Sequence, residues 1–192
     1  MQKQSFIFFC LLFPFLLSAC TGNAAAQSGV DVPSAVPPIL EPTATSESVS
    51  RTPSADCPLT VSQDAFTPPA PYDTLGFEDS FWFGSSSLWT AIWNDGIWYG
   101  LPSNPGSGYT QKIFWWREGY VWDEEPQPEL IVTGERLDAE APPLVSSRAT
   151  NAYADDIGSA MLVGVDFPTL GCWKITGQYG EAELSFVVWV AP

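Results

Sequence analysis

Residues Phe167 to Val190 read as two strands joined by a tight turn, and this stretch constrains the rest of the chain more than any other. Along a strand, side chains alternate between two faces. Trp173, Ile175, Gly177 and Tyr179 therefore share one face, and Cys172, Lys174, Thr176 and Gln178 the other. After Gly180 the period resumes, with Leu184, Phe186, Val188 and Val190 together and Glu183, Ser185, Val187 and Trp189 opposite them. Two alternating runs bounded by glycine are a hairpin signal.

Elsewhere the apolar runs are short and separated by Gly, Pro, Asn and Asp clusters, and no long amphipathic helical pattern occurs. Candidate strands are an edge strand at Cys57–Val61, then Leu88–Trp93, Ile97–Leu101, Lys112–Arg117, Leu130–Leu137, a short one at Leu144–Ser147, and Met161–Val165. Asn94-Asp95-Gly96 predicts a hairpin turn, because both central residues of a type I′ turn need positive φ. That turn places Trp93 opposite Trp98 with Trp89 on the same face. Tyr153–Ser159 reads as a polar loop. The expected fold is all-β, an immunoglobulin-like β-sandwich of about seven or eight strands.

The beginning of the chain has a different character. Lys3 precedes a short apolar run from Phe6 to Leu17, too short for the roughly 20 residues of a stable membrane span. This predicts a secretory leader over residues 1–19. Leu17-Ser18-Ala19-Cys20 looks like the lipobox of bacterial lipoproteins, which implies cleavage before Cys20 and lipidation of its thiol. Two or three acyl chains anchor a protein stably, at about 0.8 kcal/mol per buried methylene. Residues 20–56 are rich in Ala, Ser, Thr and Pro and predict a disordered tether. The sandwich domain is assigned to residues 57–192.

With Cys10 removed and Cys20 lipidated, Cys57 and Cys172 remain, and an exported chain favours a disulfide between them. The chain-entropy model gives about 4–5 kcal/mol for so long a loop. Cys172 faces away from Trp173, so the bridge is expected outside the main core.

The chain carries 22 acidic and 7 basic residues, a formal net charge of −15 that falls by one more when Lys3 leaves. Nucleic acid is thereby excluded as a partner, since it needs a basic footprint. There is no histidine, so Ser-His-Asp and Cys-His catalysis and imidazole-bound metals are excluded as well.

Several segments taken together are similar to a group of uncharacterised bacterial lipoproteins with an immunoglobulin-like domain. They are Leu88-Trp-Thr-Ala-Ile-Trp-Asn-Asp-Gly96, Phe114-Trp-Trp-Arg117, Gly134-Glu-Arg-Leu-Asp-Ala139 with Ala141-Pro-Pro-Leu144, and the ending Phe167-Pro-Thr-Leu-Gly-Cys-Trp-Lys-Ile-Thr-Gly177. The resemblance covers most of residues 57–192. It implies the sandwich and the lipid anchor, and it carries no activity and no catalytic residue.

Two features could carry chemistry. Trp89, Trp93 and Trp98, with Trp115 or Trp116, could form a row of indoles that stacks on sugars, or they could be core. Asp123-Glu124-Glu125, Asp155-Asp156 and Glu78-Asp79 could serve glycoside hydrolysis or hold calcium, or they could be solvated loops. No metal-ligand spacing occurs, and no metal or cofactor is expected. The expected function is a non-enzymatic binding or scaffolding module, lipid-anchored in the cell envelope through Cys20, that meets an envelope protein or glycan. A carbohydrate-binding protein or a carbohydrate-active enzyme built on carboxylates is the alternative.

Overall fold

The computed structural model describes residues 49–74 and 77–192; Cys20, the leader expected over residues 1–19 and most of the tether expected over residues 20–56 lie outside them. Eleven strands form two sheets among the described residues. They are β1 (Ser80–Ser85), β2 (Leu88–Trp93), β3 (Ile97–Tyr99), β4 (Ser103–Asn104), β5 (Gly108–Trp116), β6 (Ile131–Arg136), β7 (Val145–Ser146), β8 (Thr150–Ala154), β9 (Gly158–Phe167), β10 (Gly171–Tyr179) and β11 (Ala182–Ala191). One sheet runs β1-β2-β5-β9, with β7 and β8 on β9 and β4 on β5; the other runs β3-β11-β10-β6. The successions β2-β5-β9-β8 and β6-β10-β11 are the two sheets of an immunoglobulin-like sandwich. β1 extends the first sheet, and β3 adds a parallel strand to β11 in the second.

The alternation in β10 and β11 holds throughout. Trp173 pairs with Val188 and Ile175 with Phe186, and all four are buried in the space between the sheets. Trp115 of β5 fills that space from the other side. Its ring lies so close to Gly177 that a Cβ there would come within 2.5 Å of two ring carbons. A glycine in a strand interior often marks such a close approach.

Asn94-Asp95-Gly96 does not close a hairpin. Asn94, Asp95 and Gly96 all have positive φ, at 49°, 49° and 80°. Three such residues in succession, where a type I′ turn uses two, send the chain across to the other sheet. β2 lies in the first sheet and β3 in the second, so Trp93 and Trp98 are not cross-strand partners. β2 forms its hairpin with β1 instead. β1, which carries Phe81, Trp82 and Phe83, is a strand with no counterpart among the candidate strands. Tyr153–Ser159 is not a loop either: it spans the end of β8, a short turn and the start of β9, with Tyr153 opposite Ser159.

A third layer covers the outer face of the first sheet. Trp89, Ala91 and Trp116 point outward and are buried beneath Phe66, Tyr72 and Phe77. Trp82 meets Trp116 edge-on at 4.9 Å, Tyr72 meets Trp89 edge-on at 5.5 Å, and Phe77 stacks on Phe114 at 6.0 Å. Edge-on and offset ring pairs add about 0.5–1.5 kcal/mol each beyond their area burial. Tyr72 OH donates to Ser159 O at 3.1 Å, and Trp116 Nε1 donates to Ile157 O at 2.9 Å.

The segment leading into this layer is a strap along the second sheet. Trp189 Nε1 donates to Ser50 O at 2.9 Å, so residues assigned to the tether from the sequence already pack on the domain. Cys57 is bonded to Cys172 with a Cα–Cα distance of 5.8 Å, outside the sandwich core and beside Trp189. Residues 57–61 form no strand; instead Thr60 N donates to Val187 O and Val187 N donates to Thr60 Oγ1. Phe66 N then donates to Trp82 O on the edge strand β1. Unpaired edges invite association with other chains, and the strap occupies two of them.

Asp138 fastens the start of β10. Its carboxylate accepts from Arg136 Nε at 2.8 Å and from Cys172 N at 3.1 Å. Burial opposes its charge, but these hydrogen bonds and the guanidinium outweigh that effect and hold its pKa below the ordinary carboxylate value.

Candidate functional site: an aromatic notch between two strands

The sheet switch at residues 94–96 opens the candidate site. β2 and β5 pair only at Trp89–Trp116 and Thr90–Trp115. Continuing that register would set Ala91, Ile92 and Trp93 against Phe114, Ile113 and Lys112, but β2 has to leave the sheet to cross over. The strands part, and Thr90 Oγ1 donates to Phe114 O at 2.8 Å beside the last paired residues. Thr90 is fully buried, and this bond satisfies its hydroxyl.

The gap is a cleft of about 360 Å³ lined by Trp93, Asn94, Trp98, Tyr99, Leu101, Gln111, Lys112 and Phe114. Trp93 is half-buried, with its ring 5.2 Å from Phe77. Tyr99 is 57% exposed. Lys112 and Asn94 are exposed and bring an ammonium and an amide to the rim. Gln111 adds a second amide, whose Oε1 accepts from Lys112 N at 3.0 Å. Trp98 is buried against Phe167 and Phe186, and its Nε1 has no hydrogen-bond acceptor among the described residues. A buried donor left in this state costs about 1–3 kcal/mol. No carboxylate lines this cleft.

The three tryptophans singled out from the sequence therefore do not form one face. Trp89 lies under the third layer, Trp98 lies in the sandwich core, and Trp93 lies between the two. The physical reason is the switch of sheets, which turns the alternation of β3 relative to β2. Trp93 and Trp98 still meet in the notch, joined by Tyr99, Phe114 and Lys112. Those three carry no sequence signal, because nothing local says that β2 and β5 separate.

The acidic clusters fare differently. Among the described residues, no three Asp, Glu, Cys or His side chains converge to hold a metal ion. Glu125 is drawn into a polar network at one end of the sandwich. Its carboxylate accepts a short hydrogen bond from Tyr179 OH, and its carbonyl accepts from Tyr120 OH at 3.1 Å. Arg117 lies over the Tyr179 ring at 5.4 Å. Burial, then the charge of Glu125, pushes the Tyr120 hydroxyl up to about 12, and burial together with Glu125 raises Tyr179 as well. These groups stay neutral at any ordinary pH and serve as donors. Asp123, Glu124, Asp155 and Asp156 are exposed.

Comparisons with known proteins give no relative: no family model matches the chain, and no curated protein and no solved structure does.

Proposed function

We propose that this protein is a lipid-anchored module of the bacterial cell envelope that binds a glycan segment, without catalysis, in the notch between β2 and β5. One observation carries the ligand class. The notch combines ring surfaces from Trp93, Tyr99 and Phe114 with an ammonium and two amides at its rim. Aromatic rings cover the apolar faces of sugars, while amides and ammonium groups bond their hydroxyls and acidic substituents. A carboxylate-based glycosidase needs two carboxyl groups about 5–10 Å apart across the scissile bond, and the residues lining this notch supply none. The anchor rests on Leu17-Ser18-Ala19-Cys20, and the strap with its bridge would join the tether to the domain.

Thermal unfolding of the full-length chain against a panel of wall and exopolysaccharides tests the ligand, because a molecule that binds only the folded state raises the midpoint. One glycan is expected to do so. Tyr99→Ala should weaken that glycan by about five- to thirtyfold, the effect of about 1–2 kcal/mol at a contact residue. Tyr99 is exposed, so the unliganded midpoint should stay where it was. A panel without any shift, or a shift indifferent to Tyr99→Ala, would refute the notch as a glycan site.

The anchor has its own test. Cys20→Ser should move the protein from the membrane fraction to the soluble one. Unchanged partitioning would reject lipidation at Cys20.

A further inference from the structure

A second exposed aromatic feature lies apart from the notch. Trp122 is 38% exposed and Tyr153 is 54% exposed, and their rings stack at 5.6 Å with an interplanar angle of 26°. The two residues come from different parts of the chain, the loop after β5 and the strand β8. Asn151 holds them together: its Nδ2 donates to Trp122 O at 2.6 Å, and its N donates to Pro126 O at 3.2 Å. The pair is thus a platform in which a loop residue is tied to the strand β8, with Val121 also exposed beside Trp122. Large aromatic rings left in water on a rigid support are uncommon on a surface without a partner.

The charges around the platform name its occupant. Asp123 and Glu124 follow Trp122 directly, and Asp155 and Asp156 follow Tyr153 in the turn between β8 and β9. All four are exposed; the basic residues from Arg117 to Trp173 are Arg117, which is held over the Tyr179 ring at 5.4 Å, Arg136 and Arg148. Arg136 is engaged by Asp138, and Arg148 lies beyond the far end of β8, where Thr150 pairs with Leu162. Because no three of the described acids converge on a point, the field suits an extended cation better than a metal ion. We propose that Trp122 and Tyr153 form a docking surface for a basic peptide segment of another protein, with an arginine or lysine side chain seated on the ring pair and its neighbours facing the four carboxylates. Cations sit favourably over indole and phenol faces, and arginine does so more often than lysine. The surrounding carboxylates steer such a segment in and make its capture sensitive to salt.

The test is calorimetric titration of the full-length protein with a capped hexa-arginine peptide, with hexa-glutamate and a neutral oligosaccharide as controls. Hexa-arginine is expected to bind and hexa-glutamate not to. Trp122→Ala and Tyr153→Ala should each weaken hexa-arginine by about two- to fivefold. Asp155→Asn with Asp156→Asn should weaken it and flatten its salt dependence, and Tyr99→Ala should leave it unchanged. Thermal midpoints check the folding of each variant; if Trp122→Ala lowers its own, the more exposed Tyr153→Ala decides. The proposal is overturned if hexa-arginine does not bind. It is equally overturned if affinity responds only to the charge variants and to neither aromatic one. Binding of the neutral oligosaccharide that disappears in Tyr153→Ala, with hexa-arginine unaffected, would replace it with a sugar platform.

Discussion

Replacing Cys57 and Cys172 together with alanine should lower the unfolding free energy by about 4 kcal/mol. The bridge spans 115 residues of sequence, nearly the whole domain, so the unfolded chain loses a large set of conformations when it is closed. For a loop of this size the chain-entropy model gives about 4–5 kcal/mol. The folded state keeps most of its other contacts, because the strap is also held by Ser50 on Trp189, by Thr60 on Val187 and by Phe66 on Trp82. Urea unfolding of the double variant should show the lower midpoint, and adding a reductant to the native protein should reproduce it. If both leave the midpoint in place, the bridge neither constrains the unfolded chain nor fastens the strap. Limited proteolysis adds a spatial reading. Cleavage in the double variant should begin within the strap, since Cys57 anchors it beside Trp189.

Trp115→Ala should destabilise the domain by a comparable amount, about 3–5 kcal/mol, the range for removing a buried tryptophan. Trp115 has no exposed surface and lies against Phe186 at 5.7 Å, facing Gly177. Its indole N–H is buried without an acceptor among the described residues, and losing that unsatisfied donor offsets part of the cost. Gly177→Ala should cost about 1–3 kcal/mol for a different reason. The new methyl carbon would have to occupy space held by the ring, at 2.5 Å from Cη2 and Cζ3. The two effects should not add. Once Trp115 is alanine, the methyl group at position 177 has room, so Gly177→Ala should become neutral or gain up to about 1 kcal/mol by stiffening the strand. A denaturant-based double-mutant cycle measures the coupling. Additive values would mean that ring and glycine do not share that space.

Both predictions involve β10, the strand most legible from the sequence. Its alternation set Trp173 and Ile175 against Cys172 and Lys174, and the structure places the first pair in the core and the bridge on the other face. The Asp-Gly signal was legible too, but its meaning was not. Positive φ at Asn94, Asp95 and Gly96 allows a reversal or a crossover. Locally the two are alike, and they differ in which strand receives β3. Here β11 takes it in parallel, with Val190 opposite Trp98. That choice took Trp98 out of the expected row of indoles, separated β2 from β5, and so made the notch.

The division follows from how far each signal reaches. Strand alternation, turn-forming residues and the count of two cysteines beyond residue 56 are properties of short segments or of simple counting. They are enough to determine an all-β chain, the two faces of its last hairpin and a pairing of Cys57 with Cys172. The tertiary structure decided what lies over each face. Trp89 and Trp116 are apolar whether they face a second sheet or a strap, and only the placement of Phe66, Tyr72 and Phe77 makes the outer face of the first sheet a buried layer. In the same way Trp122 and Tyr153, thirty-one positions apart, become one platform only because Asn151 ties their segments together. Burial depends on everything packed against a side chain at once, and no window of sequence contains that sum.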